Sequence, residues 1–528
     1  MGPLSFGHFA AKGRGLYTAA GLRPSSGSGF EIMQHKAGWA DVFRNGLAIY
    51  TVTINLAMAL HAIDVFIIST VMPKVVRDIG GTSFYTWPTM LYMVASIVGA
   101  ASGNPLKAIS GTRRAYILAS LIFLIGSIGC ASAPSMAVML VARTVQGWGG
   151  GLLISLSMAM VQEVYPEALR KRALAIISTT WGIAALIGPA IGGWFAEAGW
   201  WRGAFWFNAP VVIIFLIGAW AKLPRHGATG VPPRFPYRRL GLLSLGVIAV
   251  SCAGQVNELL GQFNLGIASA GQLYVLVIQA ALVVFAVLLV RLTISMDSTS
   301  SFSRLLPSKA FSITTTTGIA GWAMFLSSMT HTVIGAYLPL ALQTLRGASD
   351  EIAGYIMAAL AVSWTVSSVL TSGFQETGSR RCICIGLVLS TVGMIGVTLT
   401  LATGSLITIT LLNALVGFGL GTTNLHLVAA TMRHATPGEE AITAGSIPTI
   451  RSLGISFGAA AAGVIANSAG LTNALDATQV AHAIHWVLAL GCVLPALAWL
   501  FSLLFVRLAR RAPETPRAEA TEQVLLID

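Results

Sequence analysis

Charge is what this chain has least of. Only 10% of its 528 residues are charged, against about 25% in an ordinary soluble domain, and that scarcity excludes a soluble enzyme. Acids are scarcer than bases, 19 Asp and Glu beside 32 Lys and Arg, for a net charge of +13. On a chain that is 55% hydrophobic, such a surplus belongs in short loops at a membrane face rather than in a nucleic-acid patch. Cysteine is sparse too. Cys130, Cys252, Cys382, Cys384 and Cys492 are an odd number scattered through apolar segments, which provides neither a disulfide framework nor a zinc site; Cys382 and Cys384 read as small buried hydrophobes. There is no Walker loop, metal-ligand constellation or nucleophile triad, so no cofactor, metal or enzymatic activity is expected. Residues 1–45 lack an apolar run long enough for a signal-peptide core, so the first spanning helix is expected to direct insertion. The stretch to residue 30 carries Lys12, Arg14 and Arg23 and no acid before Glu31, a composition shared by disordered tails and targeting peptides, and Met33 offers an alternative start.

Long apolar runs are abundant. They fall at about 46–72, 84–106, 115–133, 138–162, 173–197, 204–221, 240–260, 272–292, 312–343, 352–375, 382–402, 405–430, 441–468 and 483–506. Each approaches the roughly 20 residues that cross a bilayer, which predicts an all-α polytopic membrane protein of fourteen helices. Apart from Lys74, Arg77, Arg202 and Arg346, and from Arg143 and Arg451 inside predicted helices, every Lys and Arg lies in the two tails or in alternate loops. By the positive-inside rule, both termini are then cytoplasmic.

An internal repeat organises these spans. Gly111-Thr112-Arg113-Arg114 recurs as Gly378-Ser379-Arg380-Arg381, an offset of 267, and Gly147-Trp148-Gly149-Gly150-Gly151 recurs as Gly417-Phe418-Gly419-Leu420-Gly421, an offset of 270. Gly188 and Gly192 map at that offset onto Gly458 and Ala462. Two parallel six-helix halves with two inserted helices follow, the plan of a transporter that alternates access around a central cavity. The expected division is a cytoplasmic tail over 1–45, a first half over 46–222, a linker with two extra helices over 223–309, a second half over 310–506 and a cytoplasmic tail over 507–528.

Four ordered motifs resemble the major facilitator superfamily, and within it the fourteen-helix drug/proton antiporters. Ile63-Asp64-Val65-Phe66-Ile67-Ile68, with Pro73 after it, resembles the family's Leu-Asp-x-Thr-Ile-Val stretch, Phe66 replacing Thr. Arg143-Thr144-Val145-Gln146-Gly147 is similar to its Arg-x-x-Gln-Gly segment. Gly182 with Gly188-Pro189-Ala190-Ile191-Gly192-Gly193 resembles its antiporter motif, and Trp201-Arg202 through Phe205 to Asn208 and Pro210 resembles its Trp-Arg-x-x-Phe-x-x-Asn-x-Pro approach to the sixth helix. The gating loop departs from the pattern. Gly111, Arg113 and Arg114 survive, but Asn104, Ala108 and Ile109 stand where the family places a Gly, an Asp and a basic residue. The resemblance implies a major facilitator fold, antiport, and a gate that must be built without that carboxylate; Arg113 and Arg114 are expected to assist it by pairing with acids or helix C-termini.

Asp64 is the sole carboxylate near the middle of a predicted helix. Burial pushes such a group toward its neutral form, so it can carry a proton, with His61 on the same helical face and Arg143 approaching from the fourth helix. A permanent Asp64–Arg143 ion pair is the competing reading. Arg143 faces either the cavity, on a stripe continued by Gln146, or the outer headgroups by snorkelling. Trp322, Phe325 and Trp364 either line a pocket for a flat apolar ligand or face lipid and core. His331 and His426 read as satisfied core groups or as cavity ligands. Trp200, Trp201 and Trp206 read as an interfacial belt. Gly188 and Gly192, one turn apart, permit close helix approach, which ordinary packing also explains.

The expected function is proton-coupled efflux of amphipathic organic compounds or drugs across a cytoplasmic membrane. A transporter of one metabolite or siderophore, and a membrane sensor that moves nothing, are the alternatives, since fold does not fix substrate. Expected partners are the bilayer, protons and a small organic substrate, with no nucleic acid; a periplasmic adaptor and an outer-membrane channel stay open. Reporter fusions at the N-terminus, near Arg238 and at the C-terminus should read cytoplasmic, and one near Leu471 external. An external signal near Arg238 would overturn the assignment of the first six spans.

Overall fold

The computed structural model describes residues 38–44, 46–80, 84, 87–223, 235–254, 256, 272–298, 304–471 and 477–511. The expectations for most of both tails, including Met33, and for the end of the seventh predicted span lie outside the described residues. After a short 3-10 turn at Ala40–Phe43, the first half comprises α1 (Leu47–Ile79), α2 (Trp87–Ser110), α3 (Thr112–Ala131), α4 (Met136–Val164), α5 (Glu167–Glu197), the short α6 (Arg202–Trp206) and α7 (Asn208–Lys222). Two inserted helices follow, α8 (Tyr237–Gly254) and α9 (Gln272–Ser298). The second half comprises α10 (Thr316–Arg346), α11 (Asp350–Thr371), α12 (Glu376–Thr400), α13 (Leu406–Arg433), α14 (Glu440–Ser468) and α15 (Ala477–Arg511).

Among the described residues, twelve helices are long and apolar enough to cross a membrane, with α6 and α7 forming one span. The expectation was fourteen. α2 and α8, at the second and seventh predicted positions, do not qualify. The reason lies in their residues: the second half of α2 holds Ser102, Gly103, Asn104, Pro105 and Lys107, and α8 opens on Arg238 and Arg239.

Side-chain caps mark several starts. Thr315 accepts from the Gly318 N–H, Ser349 from Ile352 and Ser405 from Thr408, opening α10, α11 and α13, each satisfying a backbone donor that the helix leaves free. Gly111 joins α2 to α3 at a φ of 77°, a left-handed conformation that glycine adopts without a Cβ clash.

The glycine repeat sets the internal packing of both halves. A Cβ on Gly147 or Gly151 would strike the α2 backbone at Tyr92 or Ser96, and one on Gly149 would strike Phe123 of α3. In the second half, Gly417 and Gly421 meet Leu360 and Trp364 of α11, and Gly419 meets Gly386 of α12. Thus α4 and α13 are the central helices of equivalent three-helix sets, held by backbone-to-backbone approach where lipid supplies no hydrophobic drive between helices. α5 packs on α1 in the same way. Gly188 lies against Phe66 and Ile63, Gly192 against Ile67 and Thr70, and Gly182 reaches across to Thr365 of the second half, whereas a Cβ on Gly193 would meet nothing within 4 Å among the described residues.

The end at which α1 begins, here the proximal end, is where the halves are joined. Asn104 donates to the Ile442 carbonyl at 3.1 Å, Ser155 to the Gly445 carbonyl at 2.7 Å and Gln162 to the Met432 carbonyl at 3.4 Å. Ser178 donates to Ser368 at 3.3 Å, Lys171 donates to the Phe374 carbonyl, and Arg433 of α13 pairs with Glu167 of α5 and, at 3.0 Å, with Glu376. The inserted helices pair through Arg239 and Asp297 at 2.6 Å. Asp297 also accepts the Leu305 and Leu306 N–H groups, and the linker is pinned to the start of α14 by the Arg304–Glu439 pair.

Alanine at Gly151 or Gly421 should therefore cost about 1–3 kcal/mol by overpacking, while Gly193→Ala should leave stability unchanged. Thermal unfolding of the purified variants in detergent checks the contrast; equal behaviour at the three sites would refute it.

Candidate functional site

α1, α3, α4 and α7 each deliver a polar side chain to one point inside the first half. Asp64 is 1% exposed and Arg143 0%. Arg143 Nη1 donates to Asp64 Oδ2 at 2.6 Å and to Gln146 Oε1 at 2.7 Å. Gln146 Nε2 donates to Asp64 Oδ1 at 2.8 Å and to Ser127 Oγ at 2.7 Å, and Asn208 Nδ2 donates to Asp64 Oδ1 at 3.0 Å. The carboxylate thus accepts from three side chains on two different helices. Arg143 is held further by the Pro88 carbonyl at 3.3 Å and by the Tyr92 ring, 4.1 Å from its guanidinium carbon, a cation–π contact that gains strength where water is excluded. Among the described residues, Nη2 of Arg143 has no hydrogen-bond partner.

The arrangement places Arg143 neither at the headgroups nor in a cavity: it and Gln146 are enclosed by the Asp64 ring. His61 lies close by but bonds elsewhere, its Nδ1 sharing a hydrogen bond of 2.8 Å with Tyr92 Oη and its ring stacking on Tyr92. His61 and Arg143 are therefore linked through Tyr92. Sequence reasoning missed Tyr92 and Ser127. Asn208 stood in a quoted motif, yet nothing in that motif says its amide faces the first helix.

The other predicted residues separate into two groups. His331 and Trp364 line a cavity between α10, α11, α13 and α14, together with Ser327, Asn424 and Arg451. The remainder lie elsewhere. Trp322 donates to the Phe311 carbonyl at 2.8 Å and stacks on Phe501, Phe325 packs against Phe311 and Phe457, and His426 is buried against Ser379 and Phe374. These contacts are aromatic and polar packing near the proximal end, which matching apolar spacing alone does not distinguish from a lining.

Of the gating loop, Arg113 stacks on Trp220 of α7, and neither Arg113 nor Arg114 pairs with an acid among the described residues. Glu163, on neighbouring α4, pairs with Lys107. Asn104, at the family's Gly position, instead bridges to α14. Trp200 and Trp206 are exposed as a belt requires, but Trp201 is buried: its indole donates to Asp78 at 3.0 Å, and Arg202 pairs with the same carboxylate. These two donors, Arg202 first, hold Asp78 below the usual carboxylate range.

Residues 54–324 and 320–527 match the family model described as the Major Facilitator Superfamily. The chain belongs to that superfamily and is a multi-pass membrane protein. A Mycobacterium tuberculosis protein described as a probable multidrug-efflux transporter is 30% identical over 470 residues, covering 84% of this chain and 90% of that one. A multidrug transporter of Bacillus subtilis is 27% identical over 417 residues, covering 78% and 74%. Among solved structures, a human organic anion transporter superposes with a TM-score of 0.61 at 15% identity, over 87% of this chain and 99% of its own. A proton:xylose symporter does so with a TM-score of 0.58 at 17% identity, over 87% and 95%. At these identities the two structures establish the fold alone.

Removing one partner of a buried ion pair leaves the other uncompensated, at a cost of about 3–5 kcal/mol. Arg143→Gln should lower the unfolding temperature and the yield of folded protein, whereas Arg114→Gln, at an exposed and unpaired position, should not. Comparable stability of the two variants would sink the assignment of Arg143 to an enclosed ion pair.

Proposed function

We propose that this protein exports amphipathic organic compounds from the cytoplasm in exchange for protons, crossing the cytoplasmic membrane fourteen times with both termini inside. The names of its relatives support drug efflux. In favour of fourteen crossings is the helix order: α2 lies between two apolar spans and packs along α4, and α8 pairs with α9. Alternating Lys/Arg-rich loops put the proximal end in the cytoplasm. A proximal clasp then corresponds to a state closed toward the cytoplasm.

The observation that carries proton coupling is the Asp64 ring. In this state Arg143, Gln146 and Asn208 all donate to the Asp64 carboxylate. A proton reaching Oδ1 or Oδ2 cancels the charge that holds Arg143. The guanidinium then prefers another partner, and α1 loosens from α4 and α7. Because α5 is seated on α1 through Gly188 and Gly192, a shift of α1 passes to α5, which contacts α11 at Gly182 and Thr365. Protonation is thereby linked to the contact between halves. Asn104 and Ser155, which donate to backbone carbonyls of α14, serve as the clasp that releases.

Asp64→Asn should abolish uphill, proton-driven transport in everted vesicles while leaving downhill exchange partly intact. Since that variant also strands Arg143, Asp64→Asn with Arg143→Gln is the companion: it removes both charges and should fold well yet remain uncoupled. A folded double variant that still concentrates substrate against its gradient, with unchanged pH dependence, would refute coupling at Asp64.

A further inference from the structure

Arg451 sits near the middle of α14, and among the described residues it makes no hydrogen bond and no ion pair. Its one described ring contact is with Trp364, 5.9 Å from the guanidinium carbon. It is partly exposed although its helix is packed between α10, α4 and α8, because it opens on the cavity of the second half. A cation at this depth in a membrane protein costs several kcal/mol unless a counter-charge or polar surroundings meet it.

The second half cannot supply that counter-charge from its helices. Between residues 310 and 511 the acids are Asp350, Glu351, Glu376, Glu439, Glu440 and Asp476, and the five that are described, all but Asp476, lie at helix ends. The first half cannot supply it either, since Asp64 is sealed and committed to Arg143. The repeat shows that the cation is an addition to the shared scaffold. At the offset of 270, Arg451 corresponds to Trp181 and His331 to His61. His61 is shut in by Tyr92, but His331 is exposed to the cavity, with its ring 5.6 Å from Trp364.

From this geometry we infer that the cavity binds the anionic group of its substrate, and that the substrate class is aryl carboxylates: Arg451 takes the carboxylate, Trp364 and His331 flank a flat apolar body, and Asn424 and Ser327 offer further hydrogen bonds. The planar guanidinium suits a carboxylate through two parallel N–H donors. Meeting the guest's charge removes the penalty of the unpaired cation, so binding is favoured by a group that the empty site lacks. The inference rests on the export reading for its biological meaning, but the site itself is defined by residues of one half.

Binding to the purified full-length protein tests it with three probes that share one aromatic body: dansylglycine, its neutral carboxamide, and the cationic dansylcadaverine. The carboxylate should bind at least about tenfold more tightly than either of the others, a modest return for a charge-assisted contact. Arg451→Gln should erase that preference while keeping the carboxamide affinity, and Arg451→Lys should retain part of it. Thermal unfolding guards against misfolding: since Arg451 has no hydrogen-bond or ion-pair partner among the described residues, Arg451→Gln should unfold at the same or a higher temperature. Equal binding of carboxylate and carboxamide, tighter binding of the cation, a preference that survives Arg451→Gln, or destabilisation by that substitution would each overturn the inference. Proteoliposomes separate the two readings. An intact carboxylate preference without dansylglycine flux sinks export alone, and flux of the cation without any carboxylate preference sinks the anion site alone.

Discussion

A single buried ion pair constrains the first half of this protein. Asp64 and Arg143 could not be carried into the bilayer separately, because the desolvation of each ion costs several kcal/mol. Together, with Gln146, Asn208, Ser127 and Tyr92 as hydrogen-bonding and ring partners, they form a polar knot that is compatible with one arrangement of α1, α3, α4 and α7. An apolar core would tolerate sliding of these helices; the knot does not. It is satisfied except at Arg143 Nη2, so any change in the charge of Asp64 is felt by four helices at once.

The two halves share a scaffold and divide their chemistry. Glycines at equivalent positions on α4 and α13 bring equivalent neighbours to backbone contact, which is why the repeat survives there. At the polar positions it does not. Arg143 corresponds to Asn413, whose amide simply donates to the Ile356 carbonyl at 2.7 Å, and Asp64 corresponds to Ile334, buried in apolar surroundings. The second half is thus freed from housing an internal ion pair. Its own intramembrane cation, the partly exposed Arg451, stands on a different helix and opens on a cavity.

How much of this was legible in the sequence depended on whether the signal was local. Apolar run lengths located the helices, and the glycine repeat located the packing, because both are properties of neighbouring residues. The crossing count blurred at α2, where residues packed on α4 and α14 are small or polar: Gly103 meets Ser155 and Asn104 bonds to Ile442, so both lower the segment's hydropathy while meeting protein. The Asp64–Arg143 contact joins residues 79 apart, and sequence could name both members without deciding between a mobile proton site and an enclosed pair. Gln146 was assigned to the cavity for the same reason: a helical stripe says which residues share a side, not which neighbour covers it. Arg451 appeared only as an exception in the charge pattern. Its meaning depends on the absence of acids from the surrounding helix interiors, which becomes an argument once packing shows which helices surround it.

The missing acid of the gating loop fits the same division. A carboxylate at position 108 would add charge where α2, α4 and α14 meet, and this chain builds the contact from Asn104 and Ser155 donating to α14 carbonyls instead. Neutral hydrogen bonds of this kind contribute about 0.5–1.5 kcal/mol each, less than a buried ion pair costs to break. The proximal clasp therefore holds by several small contacts, with the partly exposed Arg433 joining Glu167 and Glu376 at the rim, where solvent screens the charges. Such a clasp opens without stranding an ion in the membrane interior. The large electrostatic terms are kept away from the clasp, at the Asp64 knot and at Arg451, so the contact between the halves is left to neutral hydrogen bonds and screened rim pairs.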